Sequence, residues 1–226
     1  MQLIEQAIQR GAKNLSEFDS KQVLAAYGIP VTQEYAVDSI ESALEKAEII
    51  GYPVALKASG ENIRHKSESD WVILDLKSAD QLRRAYHDLM SRTHNAFDQV
   101  LVQQMVRGNR ELMAGLKRDP QFGPCVVFGL GGVLTEILED IAIRVAPLER
   151  FDAMDMMTDI RGHKILDEFR GKPPVDREAL ADILLALGRI GLAHSNIFEI
   201  DINPIKISLG KPMAVDALIV FGTSDA

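Results

Sequence analysis

Residues 123–147 read Gly-Pro-Cys-Val-Val-Phe-Gly-Leu-Gly-Gly-Val-Leu-Thr-Glu-Ile-Leu-Glu-Asp-Ile-Ala-Ile-Arg-Val-Ala-Pro. A β-rich run breaks at Gly129, Gly131 and Gly132, then resumes as a second β-rich run bearing Glu136 and Arg144. Glycine has no Cβ, so backbone N–H groups in such a break can approach a polyphosphate closely. A carboxylate and a guanidinium beside it suit metal and phosphate handling. A hairpin whose turn merely needs positive φ fits the same letters. The rest of the chain separates the two readings.

With 226 residues and 46% hydrophobic content, the chain can bury one large core or two small ones. A formal net charge of −8 argues against nucleic-acid binding, which needs a broad basic face. A nucleotide site needs only a few local cations and stays open. Cys125 is the only cysteine, so no intramolecular disulfide can form. It reads as a buried strand residue rather than a nucleophile. Met1 to Arg10 lacks a signal-peptide core, and the longest apolar runs, such as Ile183 to Leu187, are too short to span a bilayer. The expectation is a cytoplasmic protein with no membrane association.

Helical spacing and punctuation mark helices from Leu3 to Gly11, and from a cap at Asp19 to Gly28 with Pro30 beyond. Strands are expected at Glu34–Val37, Val54–Ala58, Trp71–Leu76 and Gln99–Met105, with helices at Ile40–Ile50 behind Ser39 and at Asp80–Arg92. This part reads β-α-β-loop-β-α-β, with a polar loop over Ser59–Asp70. The second part predicts strands at Glu111–Lys117, Cys125–Phe128, Leu134–Leu138 and Ile141–Ala146. A helix near Phe151–Met157 and a long one from a cap at Asp176 to His194 follow. Strands near Asn196–Ile202, Pro204–Ile207 and Pro212–Val220 close the chain. Two α+β lobes with a nucleotide between them is the economical arrangement.

Lys57 ends an otherwise apolar strand, where an ammonium needs an anion: a nucleotide phosphate or an ordinary carboxylate. Lys21, in the first turn of its helix, reads as a solvated surface residue unless the lobe folds it over the nucleotide. The extended segment Gln103-Gln104-Met105-Val106, before Gly108, can read an adenine edge, and Glu111 can accept from ribose hydroxyls. A plain linker fits that spacing equally. Phe198-Glu199-Ile200-Asp201-Ile202-Asn203-Pro204 puts Glu199, Asp201 and Asn203 on one strand face. Hard oxygen ligands at that spacing suit Mg²⁺, and Asp216 adds a carboxylate within an apolar strand. His65 lies between Arg64 and Lys66, which disfavour its cationic form, and a neutral imidazole can accept a phosphoryl group.

The ordered set Glu17-Phe18-Asp19-Ser20-Lys21, Tyr27-Gly28-Ile29-Pro30, Lys57-Ala58-Ser59, His65-Lys66-Ser67, Phe128-Gly129-Leu130-Gly131-Gly132, Arg144-Val145-Ala146-Pro147, Glu199 to Pro204 and Val215-Asp216-Ala217 resembles one family. It is similar to the ATP-grasp β subunit of ADP-forming acetyl-CoA synthetases, NDP-forming acyl-CoA ligases related to succinyl-CoA synthetase. The likeness runs from about Ser16 to Phe221. The resemblance implies an ATP-grasp fold, with residues 20–100 as a small lid-like lobe and 1–19 plus 101–226 as the large one. It implies ATP or ADP as substrate, bound by Lys21, Lys57, Gln104, Val106, Glu111, Gly131 and Gly132. Mg²⁺ would sit on Asn203 and Asp216, with Asp201 and Glu199 nearby. His65, Arg144 and Glu136 would take the catalytic roles, His65 as a second phosphoryl carrier. The implied partner, in a hetero-oligomer, is an α subunit or domain that binds CoA and carries the first phosphohistidine. Ser69-Asp70-Trp71 departs from the glycine-rich turn usual after that histidine. Two rival readings follow: a catalytically degenerate regulatory module of a fusion protein, and a carboxylate ligase working through an acyl phosphate.

Overall fold

The computed structural model describes residues 2–59, 71–93, 97, 99–108, 110–132 and 140–222. Two compact units divide the chain: 1–15, 20–31 and 106–226 form the larger, and 16–19 with 32–105 the smaller. Residues 20–31 thus belong with the larger unit, because Val23, Leu24 and Ile29 pack into its core.

The chain opens with α1 (Gln2–Gln9) and α2 (Glu17–Ala26). Ser16 Oγ accepts the Asp19 N–H at 3.1 Å, so the capping side chain is Ser16, three residues before the expected Asp19. The smaller unit then runs β1 (Glu34–Val37), α3 (Ile40–Ile50), β2 (Val54–Ser59), β3 (Val72–Leu76), α4 (Ala79–Thr93) and β4 (Gln99–Gln104). Ser39 caps α3 by accepting from Ser42 N at 3.2 Å, and Gly51 ends it at φ +86°. The strands pair antiparallel in the order β1-β4-β2-β3. Parallel β1 and β2 therefore flank β4 and are joined by α3, while β3 and β4 flank β2 and are joined by α4. Leu56, Ala58, Val100 and Val102 meet Ala43, Ala47, Leu82 and Leu89 in one core. The opposite sheet face carries Glu34, Lys57, Ser59 and Gln103, all buried.

The chain passes into the larger unit between Met105 and Val106. There it forms β5 (Glu111–Asp119), β6 (Gly123–Leu130), β7 (Ile141–Val145), α5 (Arg150–Asp159), a 3₁₀ turn at His163–Leu166, α6 (Arg177–Ala193), β8 (Ile197–Ser208), β9 (Lys211–Ala214) and β10 (Leu218–Phe221). The antiparallel order is β10-β8-β5-β6-β7, with β9 also on β8. Asp176 caps α6 by accepting from Ala179 N at 3.0 Å, as the sequence leads one to expect. Leu116, Phe128 and Ile200 of the sheet pack with Met156, Leu184 and Leu187 of the helices.

Three strand expectations change. β6 continues through Gly129, so the break begins at Gly131. β8 continues through Pro204 as one strand of 12 residues. Proline cannot donate to the ladder, and a bulge accommodates it: Leu112 faces Ile205 whereas Ala114 faces Ile202. The last expected strand is two, β9 and β10, interrupted at 215–217. The strand expected at Leu134–Leu138 lies outside the described residues.

Candidate functional site

β8 turns back at Leu209-Gly210, with φ of 49° and 82°, the positive pair that a two-residue hairpin loop demands. From that turn Ser208 pairs with Lys211 and Ile205 with Ala214. Past the interruption Asp201 pairs with Leu218 and Ile200 with Ile219. The register is the same on both sides, so Asn203 stands directly opposite Asp216. Val215 N donates to Pro204 O at 3.0 Å, which ties the two backbones beside the pair. Ile200, Ile202, Ala217 and Ile219 point into the core, leaving half-buried Asn203 and Asp216 on the other face.

The glycines join this face from β6. Gly131 N donates to Glu111 O at 2.9 Å, and Gly132 N to Asn203 Oδ1 at 3.2 Å. The chain thereby folds across the start of β5 toward β8. A Cβ on Gly131 would stand 2.5 Å from Leu112 O. One on Gly132, at φ +64°, would stand 2.3 Å from Glu111 Oε2. Close approach of backbone demands the first glycine and positive φ the second, the Glu111 carboxylate being free to swing aside. Glu111 faces Lys206 in register, with Nζ 3.1 Å from Oε1.

Lys206 was not among the residues singled out from sequence. Counting by two from Asn203 puts Ile205 on this face; the bulge at Asn203-Pro204 reverses the parity and brings Lys206 there instead. Asp201 and Glu199 share the face, opposite Leu218 and Val220. Residues four apart along a strand are separated by about 13 Å, whereas oxygen ligands of one Mg²⁺ lie within about 4 Å of each other. Glu199 and Asn203 therefore do not share an ion.

Arg144 is not brought to this cluster. It sits opposite Val126 in β7, on the helix-covered face, and its guanidinium pairs with Asp159 of α5. Lys21 is fully buried rather than solvated, because α2 lies against the larger unit's core, and its Nζ donates to Val215 O at 3.1 Å. In the smaller unit Lys57 pairs with Glu17 at 2.7 Å, both side chains almost wholly enclosed. The carboxylate alternative for Lys57 is thus present. Gln104 N donates to Gln33 O at 2.9 Å and its Oε1 accepts from Gln33 N at 3.3 Å, so that N–H is not available to an adenine. Val106 is buried. Cys125 is half-buried in β6, its thiol pushed up from the ordinary range by burial and by Asp119, which suits no nucleophile. His65 and Glu136 lie outside the described residues.

Among the described residues, no three of His, Cys, Asp and Glu gather into a metal cage. An amide oxygen opposite a carboxylate is a different kind of site. The amide oxygen has two lone pairs, of which Gly132 N–H uses one. Two such protein ligands, completed by phosphate oxygens and water, are how Mg²⁺ is commonly held beside a nucleotide. No described helix is long and apolar enough to cross a membrane.

Two α+β units, with a glycine strand-end folded against an Asn–Asp pair, define the class: a family model described as an ATP-grasp domain matches residues 6–221. The ADP-forming acetate–CoA ligase I β subunit of Pyrococcus furiosus is 39% identical over 211 residues, covering 91% of this chain and 91% of that one. The chain belongs to this family, the ATP-grasp β subunits and domains of ADP-forming acetate–CoA ligases. The Archaeoglobus fulgidus ADP-forming acetate–CoA ligase I is 37% identical over 226 residues, and this chain spans 33% of its length. Acetyl-coenzyme A synthetase 1 of Ca. Korarchaeum cryptofilum superposes with a TM-score of 0.87 at 39% identity, covering 98% of this chain and 99% of that one. That protein was solved with coenzyme A and Mg-AMPPCP, its phosphohistidine segment pointing towards the nucleotide binding site.

Proposed function

We propose that this chain is the nucleotide-binding half of an ADP-forming acyl-CoA synthetase, catalysing acyl-CoA + ADP + phosphate ⇌ carboxylic acid + ATP + CoA together with a CoA-binding α subunit or domain. Its own step is phosphoryl transfer between a phosphohistidine and ADP. The N–P bond breaks as an O–P bond forms to the terminal phosphate of ADP, and the released imidazole takes up a proton. The observation that carries this reading is the opposition of Asn203 and Asp216, with the Gly132 amide on the Asn203 oxygen.

In this reading Asn203 and Asp216 hold Mg²⁺, which neutralises the charge that builds on the phosphates. Asp201 lies two residues along the same face and orients ligands at the edge of the site. Gly131 and Gly132 let backbone come close, and Glu111, steered by Lys206, accepts from the ribose. In the smaller unit Lys57 meets phosphate while Glu17 fixes its direction. His65 carries the phosphoryl group on its way to ADP. Arg144 is left out of the machinery because it stands on the helix-covered face of the sheet, beside Asp159 of α5. The acid and CoA are the partner's to bind.

Isothermal titration of ADP and ATP into the purified chain, with Mg²⁺ and with EDTA, tests the reading. Magnesium strengthens nucleotide binding, and Asp216→Ala removes the strengthening by tenfold or more, on the order of a lost ligand. Binding indifferent to magnesium in the unaltered chain overturns it. Mixed with acid, ATP and CoA, the chain alone forms no acyl-CoA, and a CoA-binding α subunit supplies the activity.

A further inference from the structure

Helix α2 sends two buried polar side chains to the segment that carries Asp216. Ser20 Oγ accepts the Ile219 N–H at 3.2 Å, and Lys21 Nζ donates to the Val215 carbonyl at 3.1 Å. Both residues are 0% exposed, and Lys21 is among the largest side chains so enclosed. Residues 215–217 belong to neither β9 nor β10, so strand assignment lapses where Asp216 stands. Val215 is held there by its N–H on Pro204 O and by its carbonyl under Lys21.

Enclosing an ammonium is costly, and a strand end can be pinned by a neutral hydroxyl, as Ser20 pins Ile219. Lys21 brings a charge, as Ser20 does not, to the carbonyl of the residue that precedes Asp216. The neighbouring residue is a carboxylate presented on a half-buried face, where a fixed cation in the backbone behind it stabilises negative charge.

We propose that Lys21 is a positioning residue of the magnesium site: through the Val215 carbonyl it sets the backbone that presents Asp216 opposite Asn203, without touching ion or nucleotide. This rests on the reading of Asn203 and Asp216 as the Mg²⁺ ligands. It reassigns Lys21 from the nucleotide to the scaffold of the metal, much as hydrogen bonds behind metal ligands set affinity elsewhere.

The test is the ratio of ADP dissociation constants in EDTA and in Mg²⁺, measured by titration calorimetry on the full chain. Lys21→Met lowers that ratio by about tenfold, the usual scale for a lost support behind a metal ligand, while binding in EDTA changes less than about twofold. Ser20→Ala, which removes a comparably buried bond from the same helix, lowers the thermal midpoint and leaves the ratio unchanged. Should Lys21→Met fail to fold, Lys21→Gln, shorter and neutral, must show the same fall. An unchanged ratio in the lysine variants overturns the proposal, as does an equal loss of binding in EDTA, which would mean that Lys21 meets the nucleotide directly. So does a ratio that falls equally in Ser20→Ala, because destabilisation alone would then explain it. A wild-type chain with no magnesium effect overturns the metal reading as well, and is thereby told apart from the other outcomes.

Discussion

The smaller unit encloses a charge pair, Lys57 with Glu17, on the polar face of its sheet. The larger unit keeps its acidic residues, Glu199, Asp201 and Asp216, half-exposed on the corresponding face of its own. A charge withdrawn from water must be matched within the protein, or the fold suffers. A charge left at the surface costs the fold little and remains able to bind something else. The smaller unit encloses its pair within the fold, whereas these three acids of the larger unit stay in reach of solvent.

That contrast breaks first at Glu17. Glu17→Leu removes the carboxylate 2.7 Å from the buried Lys57 ammonium and lowers unfolding free energy by about 3–5 kcal/mol, read by urea denaturation. The double variant Glu17→Leu/Lys57→Met recovers most of it. If the single variant costs less than about 1 kcal/mol, the pair is not what holds Lys57. Next comes Gly131→Ala, whose Cβ has the Leu112 carbonyl 2.5 Å away. The same assay shows a loss of about 1–3 kcal/mol from overpacking, and nucleotide binding weakens with it. Glu199→Gln sharpens the comparison from the other side, because removing a half-exposed acid leaves stability within about 0.5 kcal/mol. A large loss there would mean that the larger unit's acids are also structural.

The smallest effect is one of pH. His194 caps α6, and its Nε2 lies 2.8 Å from the Tyr27 hydroxyl. Burial lowers its pKa below the ordinary histidine value, followed by the charge of the chain's amino terminus. The unfolded chain therefore binds the proton at higher pH than the folded one, and stability falls as pH drops below about 6.5. Thermal midpoints decline from pH 7.5 towards pH 5 through this histidine, and His194→Gln flattens that part of the curve.

Much of the fold is legible in the letters. Ser39 and Asp176 stand where their helices begin, and Gly51 ends α3 at positive φ. The dipeptide Leu209-Gly210 contains the register as well: counting outward from it brings Asn203 face to face with Asp216. Lys206 and Lys21 are harder to see. Lys206 changes face because a bulge at Pro204 inserts one residue into β8, which a strict period of two cannot anticipate. Lys21 looks like a first-turn surface residue because local sequence cannot say that α2 lies against the larger unit's core. Both failures have one cause. Local periodicity describes an element by itself, and these two residues are placed by what the element lies against.

The turn at Leu209-Gly210 works as a ruler. Asn203 and Asp216 each stand six residues from it along the two arms. Lengthening either arm by one residue would slip the register by one, setting Asn203 and Asp216 against the wrong neighbours and turning core residues of that arm, such as Ala214, to the opposite face. The metal reading thus depends on a count as much as on two side chains, and a one-residue insertion after Lys211 would remove it while leaving the chemistry of both residues intact.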